Sequence, residues 1–295
     1  MNFLITGGTG FVGKKLVEKL TSLGHHSYIL TRTPEKFSNT ELTTYISFDD
    51  TKGLPALKGV VNLAGETLYG YWTKRKKEKI KSSRIEITQK VIDLLKQMTK
   101  KPDVFISSSA VGYYGVSDDM IFTEETKQPG NDFLADVVVE WERTAKQAEE
   151  LSIRTVYTRF GVILGKNGGA LPLMSLPTKL FVGGRVGKGE QWTSWVHLDD
   201  VVDLILFTIL QKNISGPLNV TAPHPVRNKE FNRILSNSLN RPYWFPTPSP
   251  LIRLATGEMS QLVLKGQYVL PNKALEYGFE FRYPTLNLAL DDCLK

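Results

Sequence analysis

A five-residue run, Asn2–Thr6 (NFLIT), stops at Gly7-Gly8-Thr9-Gly10-Phe11-Val12-Gly13, and a helical pattern begins inside that loop. Glycines 8, 10 and 13 give G-x-G-x-x-G, and Thr6-Gly7-x-x-Gly10-x-x-Gly13 gives a wider spacing of the same kind. Such a loop meets three physical demands. A tight strand-to-helix turn needs positive φ, a pyrophosphate needs close backbone approach, and the helix must pack on the sheet. The helix start then offers free N–H groups and a partial positive charge to phosphate. The pattern alone is weak; its position after a strand and before a helix gives it weight.

The rest of the first half supplies that context. Phe11, Val12, Leu16, Val17, Leu20 and Leu23 keep a helical period up to Gly24. Short β-branched runs follow at 27–31 (SYILT), 44–48 (TYISF), 59–62 (GVVN), 104–107 (VFIS) and 155–158 (TVYT), with helical patterns over 74–100 and 132–150. Alternation of this kind predicts βαβ units and a doubly wound α/β protein with a parallel sheet of at least six strands. From Gly161 to Glu190 the sequence is glycine-rich and reads as loops and short pieces. Helical patterns return over 199–210 and 228–239, with a strand at 219–220 between them. Four prolines (Pro242, Pro246, Pro248, Pro250) then mark a linker. We therefore expect a dinucleotide-binding domain over 1–240, with substrate-side insertions from about 161–198, and a small C-terminal domain over 245–295.

The second strand pattern ends in Leu30-Thr31-Arg32-Thr33, with no carboxylate before Glu35. An acid there would hold a ribose 2′-hydroxyl, whereas a guanidinium suits a 2′-phosphate. Lys14 adds a second cation beside the last glycine. The expected cofactor is NADP(H) rather than NAD(H).

Composition narrows the partners. The net charge is +7, but seven basic residues and one acid fall between Lys74 and Arg84, leaving 30 basic and 29 acidic side chains elsewhere. The excess is local and lacks interleaved aromatics beyond Tyr71 and Trp72, so no nucleic-acid partner is expected. The longest apolar stretch, 201–210, is about half a bilayer span and contains Asp203, and no signal peptide precedes the glycine loop. One cysteine, Cys293, excludes an intrachain disulfide. A cytoplasmic location without a membrane partner is the expectation; the oligomeric state is left open.

Several longer motifs carry a resemblance. Asn62-Leu63-Ala64-Gly65-Glu66, Ser107-Ser108-Ser109-Ala110-Val111-Gly112-Tyr113-Tyr114-Gly115 and Trp195-Val196-His197-Leu198-Asp199-Asp200-Val201 join the glycine loop in resembling the extended short-chain dehydrogenase/reductase superfamily. Ser83-Arg84, Gly257-Glu258-Met259-Ser260, Gly266-Gln267 and Leu270-Pro271 are similar to an atypical branch, the sugar-nucleotide "epimerase family", which carries a small C-terminal domain of unknown function. The resemblance implies a sheet in Rossmann order. It further implies NADP contacts from Gly7, Thr9, Gly10, Phe11, Val12 and Gly13, from Thr31 and Arg32, from Leu63, Ala64 and Gly65, and from Arg84. Lys74 to Lys81 would then be a solvated helix face.

Standard members of that superfamily pair a Ser or Thr with a Tyr and a Lys four residues after it, so that the ammonium lowers the phenol pKa for proton transfer. Ser109 matches the serine. Phe133 stands where the Tyr is expected and Val137 where the Lys is expected, and no Tyr or Lys occurs between 132 and 138. Tyr113 and Tyr114 are candidate replacements, with Asp136 and His197 as lesser ones. Arg159, Lys188, Gln191, Trp192, Trp195 and His197 form the candidate substrate side, and no residue pair has metal-ligand spacing, so no metal is expected. Two readings stand: an NADP(H)-dependent epimerase or oxidoreductase acting on a small polar substrate, or an NADP(H)-responsive binding protein without turnover.

Overall fold

The computed structural model describes residues 1–295. At its centre lie seven strands: β1 (Asn2–Thr6), β2 (His26–Leu30), β3 (Thr43–Ile46), β4 (Gly59–Asn62), β5 (Val104–Ala110), β6 (Arg154–Phe160) and β7 (Gly216–Val220). Their order is β7-β6-β5-β4-β1-β2-β3, and every neighbouring pair is parallel. The chain winds from β1 outward to β3, returns to β4 and winds to the other edge, which is Rossmann order. The reversal between β1 and β4 opens a crevice at the carboxyl ends of those two strands.

Alternating side chains make both sheet faces apolar. Phe3 and Ile5 of β1 join Leu16 and Leu20 of α1 (Phe11–Ser22) and Val201 and Ile205 of α5 (Leu198–Leu210). Leu4, between them in sequence, joins Val91 and Leu95 of α2 (Lys74–Gln97) and Ala145 of α3 (Phe133–Lys146) on the opposite face. Local chemistry sets the helix starts. Thr73 accepts from Lys76 N at the head of α2, and Asp132 accepts from Leu134 N and Ala135 N at the head of α3.

Within the stretch expected to be loops, residues 171–179 form a helix, α4 (Leu171–Lys179). Pro172 sits in its first turn, where no amide partner is lost, while Pro177 lies inside and hides the helix from a propensity reading. α6 (Asn228–Ser238) follows β7. After it come α7 (Ser249–Thr256), α8 (Gln261–Leu264), α9 (Asn272–Glu276) and α10 (Leu286–Leu294).

The C-terminal segment packs into the larger body. Leu286, Ala289, Leu290 and Cys293 of α10 share one core with Trp195, Phe231 and Leu235, and Ala274 and Phe279 join the main sheet core. Tyr268–Val269 pairs with Ile121–Phe122. The proline-rich stretch before α7 is also tied down, by a bridge from Thr247 to Val186.

Candidate functional site

The crevice begins at the glycine loop. Gly7 has φ of +69°, and the Gly10 amide donates to its carbonyl at 2.9 Å. A Cβ on Gly7 would lie 2.8 Å from the carbonyl carbon of Leu63, and one on Gly13 would lie 2.6 Å from Gly8 Cα. Both distances are shorter than side chains tolerate, so the loop is folded tightly on itself and on the end of β4. Beneath it, the Thr6 hydroxyl donates to Asn62 Oδ1 at 2.6 Å, and the Asn62 amide donates to Thr88 Oγ1 at 2.8 Å. Thr88 also accepts from Trp141 Nε1 at 3.0 Å. This buried chain locks β1, β4, α2 and α3 together around the loop.

Above the loop, donors are left over. Gly10 caps α1 without a side-chain acceptor, and no acid lies in the first turn. The amides of Phe11, Val12 and Gly13 have no acceptor within the chain. The Phe11 ring is held against Gly165, Gly168 and Gly169, so only its backbone faces the crevice from this turn.

Arg84 is the second feature. Its Nη1 donates to Ile80 O at 2.9 Å, its guanidinium lies 5.2 Å from the Trp141 ring, and its stem runs along Gly65. No carboxylate lies within 4 Å of it, unlike Lys76, Lys77, Lys79 and Lys81 on the same helix. Burial pushes its pKa down to about 10, with Glu66 the nearest opposing charge. A half-buried cation without a paired anion suits a phosphate or other anion at this spot. Arg32 and Lys14 are exposed at the edge of the crevice, also without a carboxylate within 4 Å. Free helix amides, a glycine cradle and unpaired guanidinium groups fit a dinucleotide.

The expectation that Lys74 to Lys81 is simply a solvated face needs correcting. Lys76 and Lys79 both bind Glu66, at 2.9 and 3.5 Å, and hold its carboxyl below the usual range. Lys77 pairs with Glu258 of the C-terminal segment, and Lys81 pairs with Glu140 of α3.

Residues 3–220 match the model of the NAD dependent epimerase/dehydratase family. The chain belongs to that family. Residues 247–293 match a second model, a domain of unknown function (DUF1731). The epimerase family protein YfhF of Bacillus subtilis is 42% identical over 299 residues, covering 100% of this chain and 98% of that protein. Among solved structures, human epimerase family protein SDR39U1 (isoform 2) with NADPH superposes with a TM-score of 0.90 at 29% identity, covering 99% of this chain and 98% of that one. A nucleoside-diphosphate sugar epimerase from Corynebacterium glutamicum gives 0.80 at 31% identity, covering 100% of this chain and 58% of that one.

Against that family background, the other side of the crevice is unusual. Val137 is buried with Trp72 and Ile80, and Leu68, Phe133, Leu134 and Met259 pack around them. Phe133 meets Trp72 edge-on at 5.6 Å. An apolar cluster stands where the resemblance predicts a phenol and an ammonium.

The candidate replacements are tied up internally. Ser109 is buried and donates to Glu142 Oε1. Arg159 binds both oxygens of the same carboxylate, through Nε and Nη2 at 2.8 Å each. Burial opposes the Arg159 charge, but Glu142 more than restores it and raises the pKa above the ordinary value. Tyr113 stacks under that guanidinium at 3.4 Å and donates to Lys127 O at 2.6 Å. Tyr114 is buried, donates to Asn219 Oδ1 at 2.8 Å, and is pushed up to about 12 chiefly by burial. Ser109, Tyr113 and Tyr114, the candidate acid–base groups, thus each donate a hydrogen bond inside the chain, and Arg159 is paired with Glu142 while its buried Nη1 has no partner. Glu142 was invisible in the sequence because its partners lie 17 and 33 positions away on two strands.

Three substrate-side candidates are likewise engaged inside the chain. Trp195 is fully buried and donates to His224 O at 3.1 Å. Trp192 lies between Arg227, 3.8 Å from its ring, and Tyr268, and donates to Asp118 O. His197 is buried at the head of α5, where its Nδ1 accepts from Asp199 N at 3.1 Å. Asp292 and Cys293 bring ligand-type atoms close to His197. An Nδ1 that accepts leaves the ring proton on Nε2, facing Asp292 at 3.2 Å, so the ring offers no lone pair to a metal there.

Proposed function

We propose that this chain binds NADP(H) in the crevice between the ends of β1 and β4. It would act as an epimerase-family oxidoreductase whose proton transfer does not pass through a Tyr-x-x-x-Lys pair. The observation that carries the reading is a set of groups with no anion inside the chain: the Phe11, Val12 and Gly13 amides, which have no acceptor, and the half-buried Arg84 guanidinium, which has no carboxylate. The NADPH in the human relative's structure supports the same reading.

In this proposal the amides hold the diphosphate, and Gly7 and Gly13 give them the close approach they need. Leu63, Ala64 and Gly65 form the crevice wall that Gly7 touches, and Arg84 supplies an anion partner behind it. Thr31, Arg32 and Lys14 receive the adenosine end, where the two exposed cations select a 2′-phosphate. The nicotinamide ring, when bound, gives or takes a hydride. Phe133 and Val137, packed with Trp72 where the resemblance puts the Tyr and Lys, offer it no proton. The substrate in this reading is small and polar, as the sugar-nucleotide epimerase named among the structural relatives suggests. Its proton would be exchanged with groups it carries or with solvent.

A second reading, a binding protein that senses NADP(H) without turnover, is favoured by one specific observation. The relay position is filled by packed apolar side chains rather than by any ionisable group.

The test is a titration of the full chain with NADPH and NADH, followed by reduced-nicotinamide fluorescence. NADPH should bind at least about tenfold tighter, a difference of about 1.4 kcal/mol. Arg32→Asp should erase or reverse the preference. Equal affinities in the native chain would remove the 2′-phosphate assignment, and no binding of either would remove the proposal.

A further inference from the structure

Among the exposed apolar side chains of this molecule, one group is contiguous in structure. α4 buries Leu171, Ser175 and Thr178, while Leu173, Leu176 and Leu180 stand in solvent at spacings of three and four along one stripe. Phe181 and Val182 continue that stripe. A second segment lies beside it. Trp244 is 72% exposed, Phe245 55%, Leu251 54% and Leu254 79%, and no residue of α7 is buried.

The two segments form one continuous surface. Trp244 Nε1 donates to Phe181 O at 2.7 Å, and the Trp244 and Phe245 amides both donate to Gly183 O at 3.0 Å. The strands approach so closely that a Cβ on Gly184 would lie 2.5 Å from the Phe245 carbonyl carbon. Gly187 N and Thr247 N then add bonds across the same seam, to Thr247 O and Arg185 O. Bonds of this kind hold the exposed side chains in a fixed display.

Charge decides what such a surface fits. Residues 171–188 and 241–256 contain Lys179, Arg185, Lys188, Arg241 and Arg253 and no acid. None of the five has a carboxylate within 4 Å, although ion pairs are frequent elsewhere on this chain. Arg241 lies 4.4 Å from the Phe181 ring, so cation and apolar groups are interleaved rather than segregated. Leucine, phenylalanine and tryptophan among arginine and lysine, with no acid, is the composition of an interfacial membrane-binding surface. A stable homodimer face of this charge would bring five cations of each copy against five of the other. No helix is long and apolar enough to cross a membrane, so the contact is with the bilayer surface.

We propose that the face formed by α4, residues 181–187 and residues 241–254 docks on anionic lipid. Trp244, Phe181 and Leu254 insert among the acyl chains near the headgroups, and the flanking Arg and Lys side chains meet lipid phosphates. The proposal is independent of the cofactor reading, because none of these residues belongs to the glycine loop, its wall or Arg84.

Flotation of the full chain with vesicles tests it, comparing pure phosphatidylcholine with an equal mixture of phosphatidylcholine and phosphatidylglycerol. At 0.1 M salt the mixed vesicles should carry at least tenfold more protein than the neutral ones, and 0.5 M salt should reduce the amount several-fold. The double variant Trp244→Ser/Leu254→Ser should lose at least tenfold of that binding while keeping the melting temperature and the NADPH affinity of the native chain. A blue shift of tryptophan emission on binding, absent in Trp244→Phe, would place that ring in the interface. No binding to either vesicle overturns the proposal. So does binding that the double variant retains, or concentration-dependent dimerisation that the double variant abolishes without any lipid binding.

Discussion

The two walls of the crevice treat their polar groups in opposite ways. On the β1–β4 side, three helix amides are left without an acceptor inside the chain, and Arg84, Arg32 and Lys14 are left without a carboxylate. On the β5–β6 side, Ser109, Tyr113, Tyr114 and Glu142 satisfy one another or the backbone, and Arg159 is paired with Glu142 through Nε and Nη2, with its buried Nη1 alone left over. Both walls are rich in hydrogen-bonding residues, so residue type alone does not separate them. Whether the bonds close internally does. A folded chain leaves donors open only where something else supplies the acceptor, because an unmet buried group costs about 1–3 kcal/mol. That contrast is what assigns the open wall to binding in the proposal above and makes the Glu142 side a brace in it.

Removing the central anion of the brace should have the largest effect. Glu142→Ala leaves the Arg159 guanidinium buried beside Tyr113 with no counter-charge, and breaking such a pair from one side costs about 3–5 kcal/mol. At roughly 2–4 °C per kcal/mol for a chain of this size, the melting temperature should fall by about 10 °C. Chemical denaturation of the variant measures this directly. A loss under about 1 kcal/mol would mean that water reaches the pair and that the wall is open after all.

On the open wall the expected damage is to binding more than to folding. Gly13→Ala places a methyl group 2.6 Å from Gly8 Cα and forces the loop apart. NADPH affinity should fall by about 100-fold, or about 2.7 kcal/mol. Isothermal titration checks the value. Unchanged affinity would show that the dinucleotide does not rest on this turn, and would erase the contrast between the two walls.

How much of this was readable beforehand follows the same division. The glycine loop is local: its spacing, its place after a strand and the absence of an acid near Arg32 all lie within 31 consecutive residues. β1 and β4 follow from apolar runs that any buried parallel strand needs, and the sheet order from the family resemblance. The brace is not local. Glu142 reaches two strands, Tyr114 reaches Asn219 105 positions away, and Ser194 bonds to the Gln267 and Val269 backbone across more than 70. No periodicity encodes such partners, so the internal hydrogen bonds of Ser109 and the tyrosines could not be read from the sequence. α4 was missed because Pro177 breaks its propensity while its neighbours hold the backbone helical. Its exposed leucines look like core residues in sequence.

The smallest expected effect concerns His197, which the sequence offered as a site residue and the structure places in the closed part of the molecule. Burial lowers its pKa, against the pull of Asp199 and Asp292, with Lys15 also nearby and lowering it. In the unfolded chain the ring titrates near its ordinary value of 6.5. As the pH falls below that value, the unfolded state gains a proton that the folded state refuses. Stability therefore drops with falling pH until the folded-state pKa is passed, by at most about 1.4 kcal/mol per pH unit. His197→Asn keeps an acceptor for the Asp199 amide at the head of α5 and removes the titration. The variant should match the native chain at pH 7.5 within about 1 kcal/mol and lose less stability between pH 6.5 and 5.5. Urea midpoints at four pH values decide it. If the native chain and the variant fall in parallel, His197 is not refusing the proton, and the closed wall has more access to water than its hydrogen bonds imply.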